Sequence, residues 1–406
     1  MFLYYIICTM SRKNCVYCDK EITTRSREHV IQNALGGLYE SEDICCPECN
    51  NYVSRQIDAP FTTIFNPILG SIGNLGKTNN KNSMPQYTGT VSYQGAQYSA
   101  LFKAGKVTSC PDLSKKLRCD ISKLPLEIVS FNFDLKNDAF QTGIAKIAFN
   151  YALAQNVDFD ILKPGLKVSD SGGTISNIEY KYPVIPFMPA NPVDAYLELN
   201  TPTELYHNMI LFSQHSQLWC YVDLFNTFQY YVLLSDNLPN GYRAYANYMQ
   251  TLQKLDRTEP KVEIFRPEDA MIYAQQYGVE PTMDATEMAR RIRIAIEKKS
   301  QKQPMTKIIA EKLNHMSVAM VMPAMKSHQQ IFQFAQSMPL YFDDYDNLRE
   351  ENFRTVTLAP GGQGLMTYPD AILEQITLDK SALGTYTNAK FNKLNNYLVA
   401  QTQKSK

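Results

Sequence analysis

A chain of 406 residues with 44% hydrophobic and 20% charged residues has an ordinary globular composition and length enough for two or three cored domains. Lys+Arg and Asp+Glu both number 40, which excludes a globally basic nucleic-acid binder and leaves any such surface to local clustering. The opening MFLYYIICTM is apolar for about nine residues, far short of the roughly 20 that span a bilayer. It also lacks the basic n-region and small-residue cleavage site of a signal peptide. A cytoplasmic protein is therefore expected, with Met10, which opens the polar run MSRKNC, as an alternative start. Residues 1–14 read as an N-terminal tail.

Of nine cysteines, five lie between Cys15 and Cys49. In a reducing compartment such crowding points to a metal rather than to disulfides. Cys15-Val-Tyr-Cys18 and Cys46-Pro-Glu-Cys49 are two CxxC knuckles, each able to give two thiolates to one tetrahedral, structural Zn²⁺. Cys45 adjoins Cys46, but only Cys46 keeps the knuckle spacing. The 27 residues between the knuckles exceed the gap of about 15–20 in a zinc ribbon, and so leave room for a functional insert.

That insert carries Ser26-Arg27-Glu28-His29-Val30-Ile31-Gln32-Asn33-Ala34-Leu35-Gly36-Gly37, and Asn50-Asn51 follows the second knuckle at once. Over roughly residues 15 to 60 the sequence resembles the HNH (ββα-metal) endonuclease family, within a module that reads as residues 15–66. The likeness is to the zinc-knuckle branch, in which CxxC, EHVIPxxLGG and CxxCNN follow one another and an Asp precedes a Pro. Gln32 stands where the branch has Pro, and Asp43 takes the place of the middle Asn.

The resemblance implies a zinc-stapled hairpin and helix with a phosphodiesterase site. His29, ending the first strand, would be the general base, because imidazole titrates near neutral pH. Asp43 would orient it. Glu28, on the other side of the strand, and Asn50, on the helix, would hold a catalytic Mg²⁺ or Mn²⁺ with several retained waters. Asp58 matches the branch pattern but lies eight residues beyond Asn50, about 12 Å along a straight helix, so a structural or salt-bridging role near Pro60 is expected.

Residues 67–84, polar and rich in Gly, Asn, Lys and Ser from Gly70 to Ser83, read as a linker. In the next region, 85–245, YTGTVSYQGAQYSALFKAGKV predicts strands joined by Gly-containing turns. HNMILFSQHSQLWCYVDLFNTFQYYVLLSDN predicts three further antiparallel strands. Between them AFQTGIAKIAFNYALAQN spaces Ile144, Ile147, Ala148 and Tyr151 at helical intervals, predicting an amphipathic helix on the sheet. Tyr221 to Tyr231 alternate as a sheet interior does, with a base-stacking platform as the rival reading. Cys110, Cys119 and Cys220 read as buried small hydrophobes.

Residues 262–406 read as mainly helical. Pro267 with Glu268 and Asp269 starts one helix and Gly278 stops it, while Asp284 with Glu287 resembles the capping box of the next. Eight basic residues stand between Arg290 and Lys312 against two glutamates, and Arg290, Arg293 and Lys298 are the candidate phosphate contacts. The fold expected is thus α+β: a zinc-stapled HNH module, a central antiparallel sheet with a helix, and a helical C-terminal region.

The function expected is metal-dependent hydrolysis of nucleic acid, DNA rather than RNA. The large C-terminal part would select targets or control activity, as in defence or mobile-element effectors, through a regulatory ligand, a partner protein or self-association. Rival classes are a non-catalytic zinc-dependent nucleic-acid-binding protein and a regulatory effector that is silent until triggered.

Overall fold

The computed structural model describes residues 12–72, 85–121, 124–135, 137–171, 174–186, 203–214, 216–252, 257–258, 278 and 382–404. The basic run with Arg290, Arg293 and Lys298 lies outside them, as does most of the region expected to be helical beyond residue 262. Gly278, the expected helix stop, has φ +64°, and residues 382–404 are helical.

The knuckle segment folds as a short hairpin, β1 (Glu28–His29) with β2 (Glu40–Ser41), followed by helix α1 (Pro47–Val53). Pro47 sits at the first helical position, where its missing N–H is no loss. One π-helical turn, Ser54–Asp58, leads into α2 (Ala59–Ile64), and α3 (Asn66–Ile72) follows. The expected linker therefore begins with a helix: Pro67, Ile68 and Gly70 are buried, and a Cβ on Gly70 would collide with the Tyr87 ring.

Strands β3 (Gln86–Tyr93), β4 (Ala96–Lys103) and β5 (Lys106–Ser109) form the predicted meander, with α4 (Pro111–Leu117) after it. β6 (Glu127–Phe131) completes a four-stranded sheet of order β5-β4-β3-β6. Helix α5 (Asp138–Ala154) starts where the Asn137 side chain accepts the Phe140 N–H at 3.2 Å. After α6 (Phe159–Leu162) comes a hairpin, β7 (Leu166–Ser171) with β8 (Thr174–Tyr180). The largest sheet is built from β9 (Val184–Pro186), β10 (Tyr206–Gln214), β11 (Gln217–Leu224), β12 (Phe228–Ser235), β13 (Tyr245–Thr251) and β14 (Arg257–Thr258). It is antiparallel throughout, in the order β14-β13-β10-β11-β12-β9. The three predicted strands are β10, β11 and β12, and the sheet runs past residue 245. Tyr221 and Tyr231 are fully buried, which answers the stacking-platform reading, and Cys119 is exposed rather than buried. The last helix, α7 (Ala382–Lys404), returns to the body, where Asn395 Oδ1 accepts the Phe131 N–H and Leu394 and Leu398 are buried. No described helix is long and apolar enough to cross a membrane.

Two features depart from a chain of separate domains. Buried residues from Cys15 through α5 to Leu398 form one continuous core, so the knuckle segment shares its interior with the central region. And α5 is not amphipathic in the expected sense. From Gly143 to Leu153 it is buried on every side, Lys146 and Asn150 included, because the large sheet packs on one side and α2 with the π-helical turn on the other. Gly143 permits that approach, since a Cβ there would collide with the Phe61 ring.

The loop after β1 is clamped by the large sheet. Gly36 takes φ +87°, and a Cβ on Gly37 would collide with the Ile31 carbonyl, which accounts for the paired glycines. Gln250 Nε2 donates to Gly36 O at 2.6 Å, and the Leu38 N–H donates to Gln250 Oε1 at 3.0 Å. His207 Nδ1 accepts the Phe225 N–H at 3.3 Å, so Nε2 carries the proton and donates to Leu35 O at 2.9 Å. Burial pushes this imidazole down to about 4, against a backbone bond that favours its charged form.

Because the unfolded ring protonates near 6.5, the neutral ring's contribution is complete above that pH. It is lost as pH falls from about 6.5 to about 4, by about 3 kcal/mol. Urea unfolding of the wild type and His207→Gln across that window should therefore give converging stabilities as pH falls; parallel curves would refute the assignment.

Candidate active site

The four knuckle sulfurs, Cys15, Cys18, Cys46 and Cys49, lie within 4.8 Å of one another. Tetrahedral zinc with Zn–S near 2.3 Å needs sulfur separations of about 3.8 Å, and Cys18 Sγ to Cys46 Sγ is 3.9 Å. The donor set fits Zn²⁺. The Cys15 thiol is lowered, first by the Cys49 thiol and then, against burial, by the backbone N–H groups of Cys46, Cys18 and Tyr17, while the same contact raises Cys49. Thiolate is the form that binds metal. Cys45 is buried outside the cluster, and burial pushes its thiol up. Knuckle spacing thus identified the right one of two adjacent cysteines. The cluster joins the turn at Cys15 to the start of α1, where Cys46 occupies the N-cap position, and the Val16 N–H donates to Ile44 O at 3.1 Å.

Strand alternation in β1 sends its two residues to opposite sides. Glu28 points inward and is 2% exposed, whereas the His29 side chain is 28% exposed. Both line a cavity of about 390 Å³ together with Gln32, Asn50, Ser54 and Asp58. The structure therefore brings together Glu28, His29 and Asn50, as expected from sequence, and adds Asp58. Asn50 Nδ2 donates to Ser26 Oγ at 2.6 Å and to Arg27 O at 3.3 Å, which ties α1 to the entry of β1.

The residue expected to orient His29 needs correction. In the hairpin register His29 faces Glu40, and His29 Nε2 is 3.0 Å from Glu40 Oε1. Asp43 lies two residues beyond the end of β2, where its carboxylate is held by Arg25 and its carbonyl accepts from Arg12 at 3.4 Å. Asp43 is not among the residues that line the cavity. Sequence order suggested Asp43; the hairpin register places Glu40 against His29.

A second group had no local signal. Lys146 of α5 is fully buried, with Nζ 2.5 Å from Glu28 Oε1 and 2.8 Å from Asp58 Oδ1. Asn150, one turn on, donates to Glu28 Oε1 at 2.9 Å, and Gln32 Nε2 donates to Asp58 Oδ1 at 2.7 Å. Burial alone would lower the Lys146 pKa, but the Glu28 and Asp58 carboxylates more than offset it and hold the ammonium above its ordinary range. The salt-bridging role expected of Asp58 is what the geometry shows. Glu28 keeps its place on the cavity, with one oxygen already engaged. A carboxylate on a cavity beside an amide oxygen donor suits a hard divalent ion, so the residues present fit such an ion through Glu28 and Asn50.

The family model described as HNH endonuclease matches residues 15–66. No curated protein and no solved structure matches the chain. The matched residues span both cysteine knuckles, the β1–β2 hairpin and helices α1 and α2, and end at the start of α3. With the order of motifs, the four-sulfur cluster and the hairpin-helix arrangement all in agreement, residues 15–66 belong to the HNH endonuclease family, in its zinc-knuckle form.

Proposed function

We propose that this protein is a metal-dependent endonuclease that hydrolyses nucleic-acid phosphodiester bonds, DNA in preference to RNA, through residues 15–66. The observation that carries the reading is the His29–Glu40 pair at 3.0 Å beside Glu28 and Asn50 on one cavity of the family-matched segment. With Nε2–H donated to Glu40, His29 Nδ1 takes the proton from the attacking water, and Glu40 stabilises the imidazolium that results. Bound Mg²⁺ or Mn²⁺ supplies charge neutralisation at the leaving oxygen. Glu28 and Asn50 would hold that ion, and the hydrogen bonds from Asn50 to Ser26 and Arg27 fix the helix relative to the strand that bears the base. The clamp on residues 35–38 holds the hairpin against the large sheet.

The region beyond residue 85 selects the target or controls activity, consistent with a defence or mobile-element effector in the cytoplasm. Arg290, Arg293 and Lys298 are its proposed phosphate contacts. A non-catalytic, zinc-dependent nucleic-acid-binding or regulatory module is the second reading. The engagement of Glu28 by Lys146 is the observation on its side.

Supercoiled plasmid and single-stranded RNA incubated with the zinc-loaded full chain, with and without Mg²⁺ or Mn²⁺, separate the two. Metal-dependent cleavage of plasmid supports the nuclease, and binding without cleavage supports the second reading.

A further inference from the structure

Lys146 and Asn150 are the polar residues of a helical stretch, Gly143 to Leu153, that is otherwise hydrophobic or small and wholly buried. Placing an ammonium there costs several kcal/mol unless it is paired and hydrogen-bonded, and what it meets is an acid pair from the nuclease segment. Its Nζ lies 2.5 Å from Glu28 Oε1, and 2.8 and 3.0 Å from the two Asp58 oxygens. Asn150 and Gln32 each donate one amide N–H to the same pair. The other atom of each amide, Asn150 Oδ1 and Gln32 Oε1, is buried without a hydrogen-bond partner.

The two carboxylates converge on one position, and paired carboxylate oxygens are the kind of donor that Ca²⁺, Mg²⁺ and Mn²⁺ take. The Lys146 ammonium occupies that position, within 3.0 Å of Glu28 Oε1 and of both Asp58 oxygens. We infer that Lys146 supplies, from the central region, the cation of a second cation position between Glu28 and Asp58. The divalent ion proposed at Glu28 and Asn50 then has a fixed protein charge for a neighbour. The inference deepens the nuclease reading of the same cavity. It also explains why the segment shares its core with α5, since an isolated module would keep the acid pair without its counter-charge.

The test counts Mn²⁺ bound to the zinc-loaded full chain, by titration calorimetry and by the electron paramagnetic resonance signal of bound ion. Lys146→Met removes the positive charge and leaves two carboxylates facing each other. It should bind one more Mn²⁺ per chain than the wild type, and the gain should vanish when Asp58→Asn is added. Lys146→Arg, which keeps the charge, should show no gain. An unchanged count in folded Lys146→Met, or a gain that survives Asp58→Asn, overturns the inference. Should Lys146→Met unfold in metal-free buffer, Mn²⁺ titration followed by circular dichroism decides: refolding supports the cation position and none refutes it. The readout is ion binding, so a wild type that neither binds Mn²⁺ nor cuts removes the nuclease reading, while an ion gained by Lys146→Met still upholds this one.

Discussion

His29→Ala should lower the rate of metal-dependent cleavage by about 10²–10⁴-fold while leaving zinc content, far-UV circular dichroism and nucleic-acid binding as in the wild type. The separation follows from geometry. His29 is partly exposed on the cavity, its Nε2 meets Glu40 of the facing strand, and it is neither one of the four clustered sulfur ligands nor an ion-pair partner of Lys146. The same geometry ranks two companions. Glu40→Gln removes the carboxylate on Nε2 and should cost roughly 10–100-fold, as partners of a functional imidazole do. Asp43→Asn, whose side chain meets Arg25, should cost less. Single-turnover plasmid cleavage measures all three. Undiminished cleavage by His29→Ala would move the active site elsewhere, and a larger loss for Asp43→Asn than for Glu40→Gln would restore Asp43 as the orienting residue.

Cys46→Ala should abolish zinc binding, taking the metal content from about one per chain to near zero, and should unfold the start of α1. Structural zinc sites contribute folding free energy outright, about 10–16 kcal/mol in small zinc modules, and Cys46 occupies the N-cap position of the helix that carries Cys49 and Asn50. Loss of the staple therefore removes the amide side of the cavity as well as the metal. Cys45→Ala provides the contrast. Its thiol is buried outside the cluster, so the change leaves a small void worth about 1 kcal/mol and keeps the zinc. Elemental analysis and thermal melts of the two proteins settle the matter; similar zinc contents in both would mean that the four-sulfur assignment is wrong. Chelation of the wild type should reproduce the Cys46→Ala protein.

The engagement of Glu28 by a buried lysine changes how the two halves of the chain relate. A nuclease segment of this size could in principle be a transferable cassette, held by zinc alone. Here Glu28 is held by Lys146 and Asn150 of α5, and the loop after His29 by His207 and Gln250 of the large sheet. Rearrangement of the central region would therefore reach both sides of His29 without touching it, as the proposal that the remaining length controls activity requires.

Sequence alone determined whatever local rules govern. The CxxC spacings chose four of five crowded cysteines, because a knuckle's bite on zinc is fixed within four residues. The order of motifs gave the family and the pair Glu28 and His29. Alternation gave β3 to β5 and β10 to β12, and apolar spacing gave α5. Tertiary structure decided the rest. Register of a two-residue hairpin, which no spacing fixes, put Glu40 on His29 and left Asp43 to Arg25. The π-helical turn and packing, rather than a straight helix, put Asp58 on the cavity with Asn50. Lys146, 118 residues beyond Glu28, carried no local signal, because a charge in an apolar period ordinarily faces water. A buried charge is paired by whichever element packs against it, and that choice belongs to the assembled core rather than to any stretch of the sequence.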